Sequence, residues 1–438
     1  MREERRNMAT TSSTKVVFAS ALGTIVDYYD LFIVATAASL VWPHIFFTGL
    51  SAAAKVSESV IVFGITYVSR PIGALIFGHF GDRMGRRNMM VWTLVLTAIG
   101  IGGIAALPDA SVIGSTTAFT AIVVFRIIQG IGLGGEWPAA SSLSIEYIAT
   151  SKRRAFLTSW IQNGANIGLL CSSLLFTFLA TVFTHAQLLG FAWRIPFIIG
   201  VLILVVAIFI RMRIEESPLF SELKEKKKLD KLPILDSIKD KWKTMLLLTP
   251  AAFFIIGAPG IFVSGAYILD FLKASSVITD SQLSFAVSIA AAFAILWAIA
   301  GSFLGDKFGR RKTMIISAIL VIAFLYPFEL IVKMQSYLLF VIALVLLNGF
   351  FKIADGVAPT LITEQFETRY RFSGSGIAYQ LGSLTLGIMS LTLIPYIVGV
   401  SGGVSKSLGL IIIVGIIATV IMLITTLLLK ETKDKPVE

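Results

Sequence analysis

Twelve apolar runs dominate this chain, at 17–42, 57–78, 88–107, 117–146, 155–183, 191–211, 243–271, 281–304, 312–332, 337–362, 372–398 and 407–429. About 20 apolar residues let an α-helix cross the roughly 30 Å hydrocarbon layer of a bilayer. A segment in lipid must satisfy its own backbone hydrogen bonds, which a helix does. Twelve such helices take up most of the 438 residues. Composition points the same way: 56% hydrophobic residues, 14% charged and a mean hydropathy of +0.85, where a soluble domain has about a quarter of its residues charged. The expected fold class is an all-α membrane protein. The opening MREERRNMATTSSTK has neither a short apolar core nor a small-residue cleavage site, so the first span is expected to stay in the mature chain.

A net charge of +11 in a soluble chain would suggest nucleic acid, but the placement of the basic residues argues against such a partner. Of 37 Lys and Arg, 29 fall in the termini and the even-to-odd connections, about five in the opposite connections, and three, Arg70, Arg126 and Lys352, within spans. By the positive-inside rule both termini are cytoplasmic. The expectation is a multi-pass protein of the cell membrane with lipids around it. Cys171 is the lone cysteine, so no intramolecular disulfide or thiol metal cluster is possible. His44, His79 and His185 form no ligand pattern, and no metal site is expected.

The chain repeats itself. GDRMGRR (Gly81 to Arg87) returns as GDKFGRR (Gly305 to Arg311) 224 residues later, while Glu146, Arg153, Gln162 and Gly164 return as Glu364, Arg371, Gln380 and Gly382 after 218. Related bundles with a site between them are a transporter plan. The predicted organisation is a tail at 1–16, a six-helix bundle at 17–211, a charged linker with short amphipathic helices at 212–242, a second bundle at 243–429 and a tail at 430–438. In the repeated turns, Asp82 and Asp306 can face helix N-termini or the neighbouring Arg83, Arg86, Arg87 and Arg310, closing one side of the molecule. Glu146 with Arg153, and Glu364 with Arg371, share a spacing of seven at the same ends and read as gate hardware that forms ion pairs with the glycine-rich turns.

The stretch GHFGDRMGRR (Gly78, Asp82, Arg83, Gly85, Arg86, Arg87) resembles the signature of the major facilitator superfamily, with Ser302 in the second copy where the first has Gly78. Within it, VDYYD, SRPIGALIFGHFGDRMGRR, RIIQGIGLGGEWPAA, SWIQNGANIG, WRIPF, EESPLF and RFSGSGIAYQLG are similar to the metabolite:proton symporter family over nearly the whole chain. One departure is Asp27 followed by Tyr28, where that family has glutamate and tryptophan. The resemblance implies two pseudo-symmetric six-helix bundles, a central cavity, and alternating access driven by protons as the coupling ion. It also implies small polar substrates, chiefly organic acids, with proline and betaines among them.

Charges at mid-bilayer cost about 2.5–3.5 kcal/mol or more, so they persist when paired, hydrated or protonated. Asp27 and Asp30 share one face of span 1 near the midplane. Sugar transporters of the same superfamily pair a span-1 aspartate with a span-4 arginine, and the resemblance of YYD and RIIQGIG to those elements implies Asp30 with Arg126. That pair is either a proton switch or a permanent salt bridge. Glu136, ten residues after Arg126, is a second proton-site candidate or a hydrogen-bonded structural acid in the extracellular or central part of the bundle. Arg70 can bind a substrate carboxylate through its planar fork or neutralise Asp27. Lys352 and Asp355, three apart, form their own pair or leave Lys352 as a cation for an acidic substrate. Gln162 and Gln380 can read opposite ends of a small ligand, with Asn166, Tyr267 and Tyr379 lining the same space.

The function expected is a proton-coupled symporter of a small polar metabolite, most naturally an organic acid, working as a monomer with no cofactor but the proton. A sugar porter is suggested by EESPLF and the terminal KETK, although span 7 lacks the paired glutamines and asparagine of those proteins. A nutrient sensor of the same fold is a third reading, disfavoured by short tails. No nucleophile with its base, nucleotide loop or metal cluster points to an enzyme.

Overall fold

The structure is a computed structural model and describes residues 2–47, 52–256, 280–402 and 404–437. Among the described residues there is no strand, and twelve helices have 18 residues or more. We number these α1 (Arg2–Leu40), α2 (Ala52–Met84), α3 (Arg86–Ala105), α4 (Ser115–Tyr147), α5 (Arg154–Val182), α6 (Arg194–Met212), α7 (Pro233–Ile256), α8 (Asp280–Phe308), α9 (Arg310–Lys333), α10 (Tyr337–Asp355), α11 (Arg371–Ile388) and α12 (Val404–Leu428). Nine of them are long and apolar enough to cross a membrane by length and composition alone. Of the other three, α7 leaves the described residues at Ile256, while α5 and α11 carry Gln162, Asn163, Asn166 and Gln380 inside their apolar stretches.

The helices are turned inside out relative to a soluble protein. Trp92, Phe178, Leu202, Phe209, Leu296 and Ile413 are exposed, whereas Asp27, Asp30, Arg70, Arg126, Glu136 and Asp355 are buried. Lipid rewards the first arrangement and excludes unpaired charge from its own contact surface. One apolar cluster joins Trp42, Trp193 and Phe197 inside the first half. A second crosses from the first half into the other, linking Phe77, Trp137 and Leu143 with Val357, Phe372 and Tyr379.

Element boundaries differ from the sequence expectation at three places. The polar N-terminal stretch is helical from Arg2 and continues into the first span. The tenth apolar run is two helices, α10 and Ala358–Thr363. Pro359 has no N–H for the carbonyl of Asp355 and its ring crowds that carbonyl, so the helix ends there. The eleventh run passes from α11 through a π-helical segment, Met389–Leu393, into Ile394–Val400.

Both repeated turns are made the same way. Gly85 and Gly309 hold φ of 114° and 115° and lead directly into α3 and α9. That backbone region strains any residue with a Cβ, which explains the second glycine of each GDxxGRR copy. The turn brings two arginines of each copy into the first turn of a helix, with Arg86 and Arg310 buried. We call the end of the molecule that carries these turns the basic end. In the linker, Ser217 caps the short helix Pro218–Glu225 by accepting from the N–H of Phe220. Phe220 is buried under the Arg86 guanidinium, 4.6 Å from ring centroid to Cζ.

Candidate functional site

At the basic end, each half reaches into the other with a carboxylate. Asp82, at the end of α2, accepts from the N–H groups of Phe372 (3.2 Å) and Ser373 (2.8 Å) at the start of α11. Asp306, at the end of α8, accepts from Ala155 and Phe156 at the start of α5, both at 3.0 Å. The first N–H groups of a helix lack internal partners and carry its positive dipole end, so each carboxylate is a trans cap. Arg86 and Arg310 pair with the same acids from one turn on, at 3.0 and 3.4 Å.

A second layer of charge lies beside these caps. Glu146 lies 3.4 Å from Arg86 and 3.0 Å from Arg371, and Glu364 lies 3.4 Å from Arg310 and 3.1 Å from Arg154. The arginine of the gate is therefore Arg154, correcting the expectation of Arg153. Arg153 is exposed, and its backbone N–H donates to Ser151. The 218-residue offset that aligns Gln162 with Gln380 slips by one at the helix start, because both α5 and α11 begin on their gate arginine. Arg83 is also corrected: it is exposed, and among the described residues its side chain meets His79, at 3.2 Å, rather than Asp82. Arg87 ties its turn to the linker, donating to the Met212 carbonyl.

Glu216 and Glu431 complete the pattern and were not singled out from sequence as gate residues. Glu216 accepts from the N–H groups of Arg86 and Arg87, and Glu431 from those of Arg310 and Arg311. EESP and KETK thus supply equivalent caps to α3 and α9. Burial pushes the Glu216 carboxyl above its ordinary range, and the N–H of Ser217, the Arg86 charge and the N–H of Arg87 oppose that shift.

Deeper in the molecule, the ionisable groups are held in different ways. Asp30 lies 3.8 Å from the Arg126 guanidinium, and neither of its oxygens has a hydrogen-bond partner. Arg126 donates through Nε to the Val62 carbonyl (3.2 Å) and through Nη1 to Gln129, while its Nη2 has no hydrogen-bond partner. Glu136 is instead gripped by Arg211, one guanidinium nitrogen per oxygen, and accepts from Thr93 at 2.8 Å. Arg211, counted from sequence among the loop cations, is buried and also donates to the carbonyls of Met90 (3.1 Å) and Ser20 (3.4 Å). The pair lies toward the basic end: Arg211 is the last basic residue of α6, next to its end at Met212. Gly23 admits this guanidinium to α1, since a Cβ there would stand 1.8 Å from it.

Lys352 and Asp355 form their own pair at 2.6 Å. Arg70 makes no ion pair among the described residues: its guanidinium lies 4.8 Å from the Tyr67 ring centroid, and its Nε has no partner.

Between the halves, Trp137 of α4 stacks on Tyr379 of α11 with centroids 3.6 Å apart and planes at 5°. Its indole N–H donates to Gln162 at 2.9 Å, and Tyr379 meets the Tyr28 hydroxyl at 3.2 Å. Gln380 donates to the Gly134 carbonyl at 3.1 Å. Both glutamines are therefore engaged with α4 in this conformation. Asn166 donates to Asn163 at 3.2 Å. Tyr267 lies outside the described residues. Sequence reasoning missed Trp137; its signal was an indole, whose N–H seeks a partner when buried, one residue after Glu136.

Residues 16–243 match the family described as Sugar (and other) transporter, and residues 251–438 the Major Facilitator Superfamily. The chain is 32% identical over 393 residues to the inner membrane metabolite transport protein YhjE of Escherichia coli K12, covering 88% of this chain and 87% of that one. It is 29% identical to the shikimate transporter of the same organism (91% and 92% covered) and 26% to the citrate-proton symporter of Klebsiella pneumoniae (89% and 88%). Among solved structures, the proton:xylose symporter XylE bound to 6-bromo-6-deoxy-D-glucose superposes with a TM-score of 0.78 at 18% identity, covering 98% of each chain. Against the inward-open conformation of XylE, the score is 0.67 at 18% identity, covering 96% and 97%. By its sequence relatives and its paired six-helix architecture, this chain belongs to the major facilitator superfamily, in its metabolite:proton symporter family.

Proposed function

We propose that this protein is a proton-coupled symporter that imports a small organic acid by alternating access. The basic end is the cytoplasmic side and both termini lie there, in keeping with the positive-inside rule. The capped and ion-paired basic end then describes a state closed to the cytoplasm. Opening it separates Asp82 from α11 and Asp306 from α5, and frees Gln162, Gln380 and Tyr379 for a ligand as α4 and α11 part.

The observation that carries the reading is the contrast between two buried acids. Glu136 is held by two guanidinium nitrogens and a hydroxyl, the arrangement of a structural ion pair. Asp30 has a cation at 3.8 Å and no hydrogen bond, so protonation costs it little and releases Arg126. The relatives, a shikimate transporter and a citrate-proton symporter, favour organic acids, and the unpaired Arg70 suits a carboxylate.

The test begins with a thermal-shift screen of purified protein against carboxylates, amino acids, betaines and sugars. Each hit is then followed by uptake into proteoliposomes with an acidic exterior. Wild-type protein should concentrate its substrate, while Asp30→Asn should lose accumulation and retain exchange. Undiminished accumulation by that variant would remove Asp30 from the coupling mechanism.

A further inference from the structure

Deeper than the charged layers of the basic end, four buried cations (Arg70, Arg126, Arg211 and Lys352) stand against four buried carboxylates (Asp27, Asp30, Glu136 and Asp355). Three pairs are formed: Glu136 with Arg211, Asp30 with Arg126 and Asp355 with Lys352. Asp27 and Arg70 are the remainder, and among the described residues neither has an ion-pair partner within 4.0 Å. Oδ1 of Asp27 and Nε of Arg70 are buried without a hydrogen bond. Asp27 is faced by Asp30 on its own helix, Arg70 from α2, Glu136 from α4 and Arg211 from α6. Arg211 is committed to Glu136 and to two carbonyls, which leaves Arg70 as the uncommitted counter-charge of Asp27.

This balance has a consequence for an anionic substrate. With all eight groups charged their sum is zero, and a carboxylate placed on Arg70 adds one negative charge to a region where unbalanced charge is costly. Arg70 is 5% exposed, sits against Tyr67, and shares the cleft with the Tyr28–Tyr379 hydroxyl pair. Its planar fork suits a carboxylate, and the phenols suit hydroxyl groups beside it. Neutrality returns when Asp27, the remaining acid without an ion pair, takes up a proton.

We propose that Arg70 is the carboxylate site of a singly charged substrate and that Asp27 is a second proton site, loaded with the substrate and separate from Asp30. This rests on the coupling role of Asp30 proposed above. Two protons and one monoanion then cross together, and each cycle carries one positive charge inward. A zwitterion or a sugar at the same place needs no proton on Asp27.

The probes are shikimate as a hydroxylated monoanion, proline as a zwitterion and xylose as a neutral sugar, with purified protein in proteoliposomes. Wild-type protein should accumulate the monoanion with an acidic exterior. It should also accumulate it about tenfold under an inside-negative potential of about 60 mV without a pH gradient, the equivalence for one charge. Calorimetry in buffers of different ionisation heat should show about one proton taken up on binding the monoanion, with affinity falling about tenfold per pH unit at high pH. Asp27→Asn should bind it without proton uptake, changing affinity less than about twofold over that range. It should keep acid-driven accumulation and lose the response to potential, and Asp27→Glu should restore both properties.

Acid-driven uptake of the monoanion that ignores potential in the wild type would overturn the second proton while leaving coupling at Asp30 intact. Proton uptake or a potential response surviving in Asp27→Asn would overturn the assignment to Asp27. Accumulation confined to proline or xylose would overturn the anion site. Absence of acid-driven accumulation for every probe would end both this inference and the reading it rests on. The wild-type potential measurement needs no variant and decides the matter if Asp27→Asn fails to fold.

Discussion

Glu136 and Arg211 show what a single pair does when no water is available to share the load. The guanidinium binds both carboxylate oxygens and two backbone carbonyls, and so fastens the end of α6 to α1, α3 and α4. Removing one partner leaves the other as a buried, uncompensated charge, at a cost of about 3–5 kcal/mol. Glu136→Leu should therefore lower the thermal transition of the purified protein sharply, and the double variant with Arg211→Met should recover most of the loss. Equal destabilisation by the single and double variants would mean that the pair is not what holds this corner. Neither partner announced its role in sequence. Arg211 sits at the end of an apolar run, where a basic residue reads as a loop cation, and Glu136 reads equally as a proton site or a hydrogen-bonded structural acid until its partner is placed in space.

At the scale of elements, the closed end is held by carboxylates from two helices capping the N-termini of two others. Each trans cap is charge-assisted, that of Asp82 is buried and that of Asp306 partly so, and caps of this kind contribute about 0.5–2 kcal/mol. Asp82→Asn removes the charge but keeps an acceptor, so it should shift the closed-to-open equilibrium by about 2–30-fold toward opening. Distance distributions between spin labels on α2 and α11 at the basic end, in a background lacking Cys171, would measure the shift. An unchanged distribution would mean that closure rests on the apolar contacts of Phe77, Val357 and Phe372 instead. The capability of Asp82 was legible in the repeated turn, but its target was not, because Phe372 is 290 residues away in the chain.

For the whole molecule, the mechanism proposed above has two near-copies of one gate acting on one opening. Asp82 and Asp306 cap different helices and share no partner, so their effects on closure should add in free energy and multiply in population. The double variant Asp82→Asn with Asp306→Asn should therefore open by roughly the product of the single shifts. It should also leak substrate down its gradient without protons, seen as acid-independent efflux from preloaded proteoliposomes. If the double variant opens no more than either single one, the halves do not gate independently.

The sequence by itself determined the class, the twelve spans, the duplication and the acids and bases that lipid would not tolerate unpaired. These are properties of composition and spacing, and hydrocarbon enforces them on each helix separately. Tertiary structure alone decided the partners: Arg154 for Glu364 and Arg371 for Glu146, with Arg153 left outside, Arg211 for Glu136, Trp137 for Gln162, and, among the described residues, no ion pair for Arg70. A one-residue slip turns a helical side chain by about 100°, and an ion pair forms only where two helices distant in sequence present the right atoms at the same depth. Pairing in space is not a local property of the chain, so it could be read only once the helices were packed.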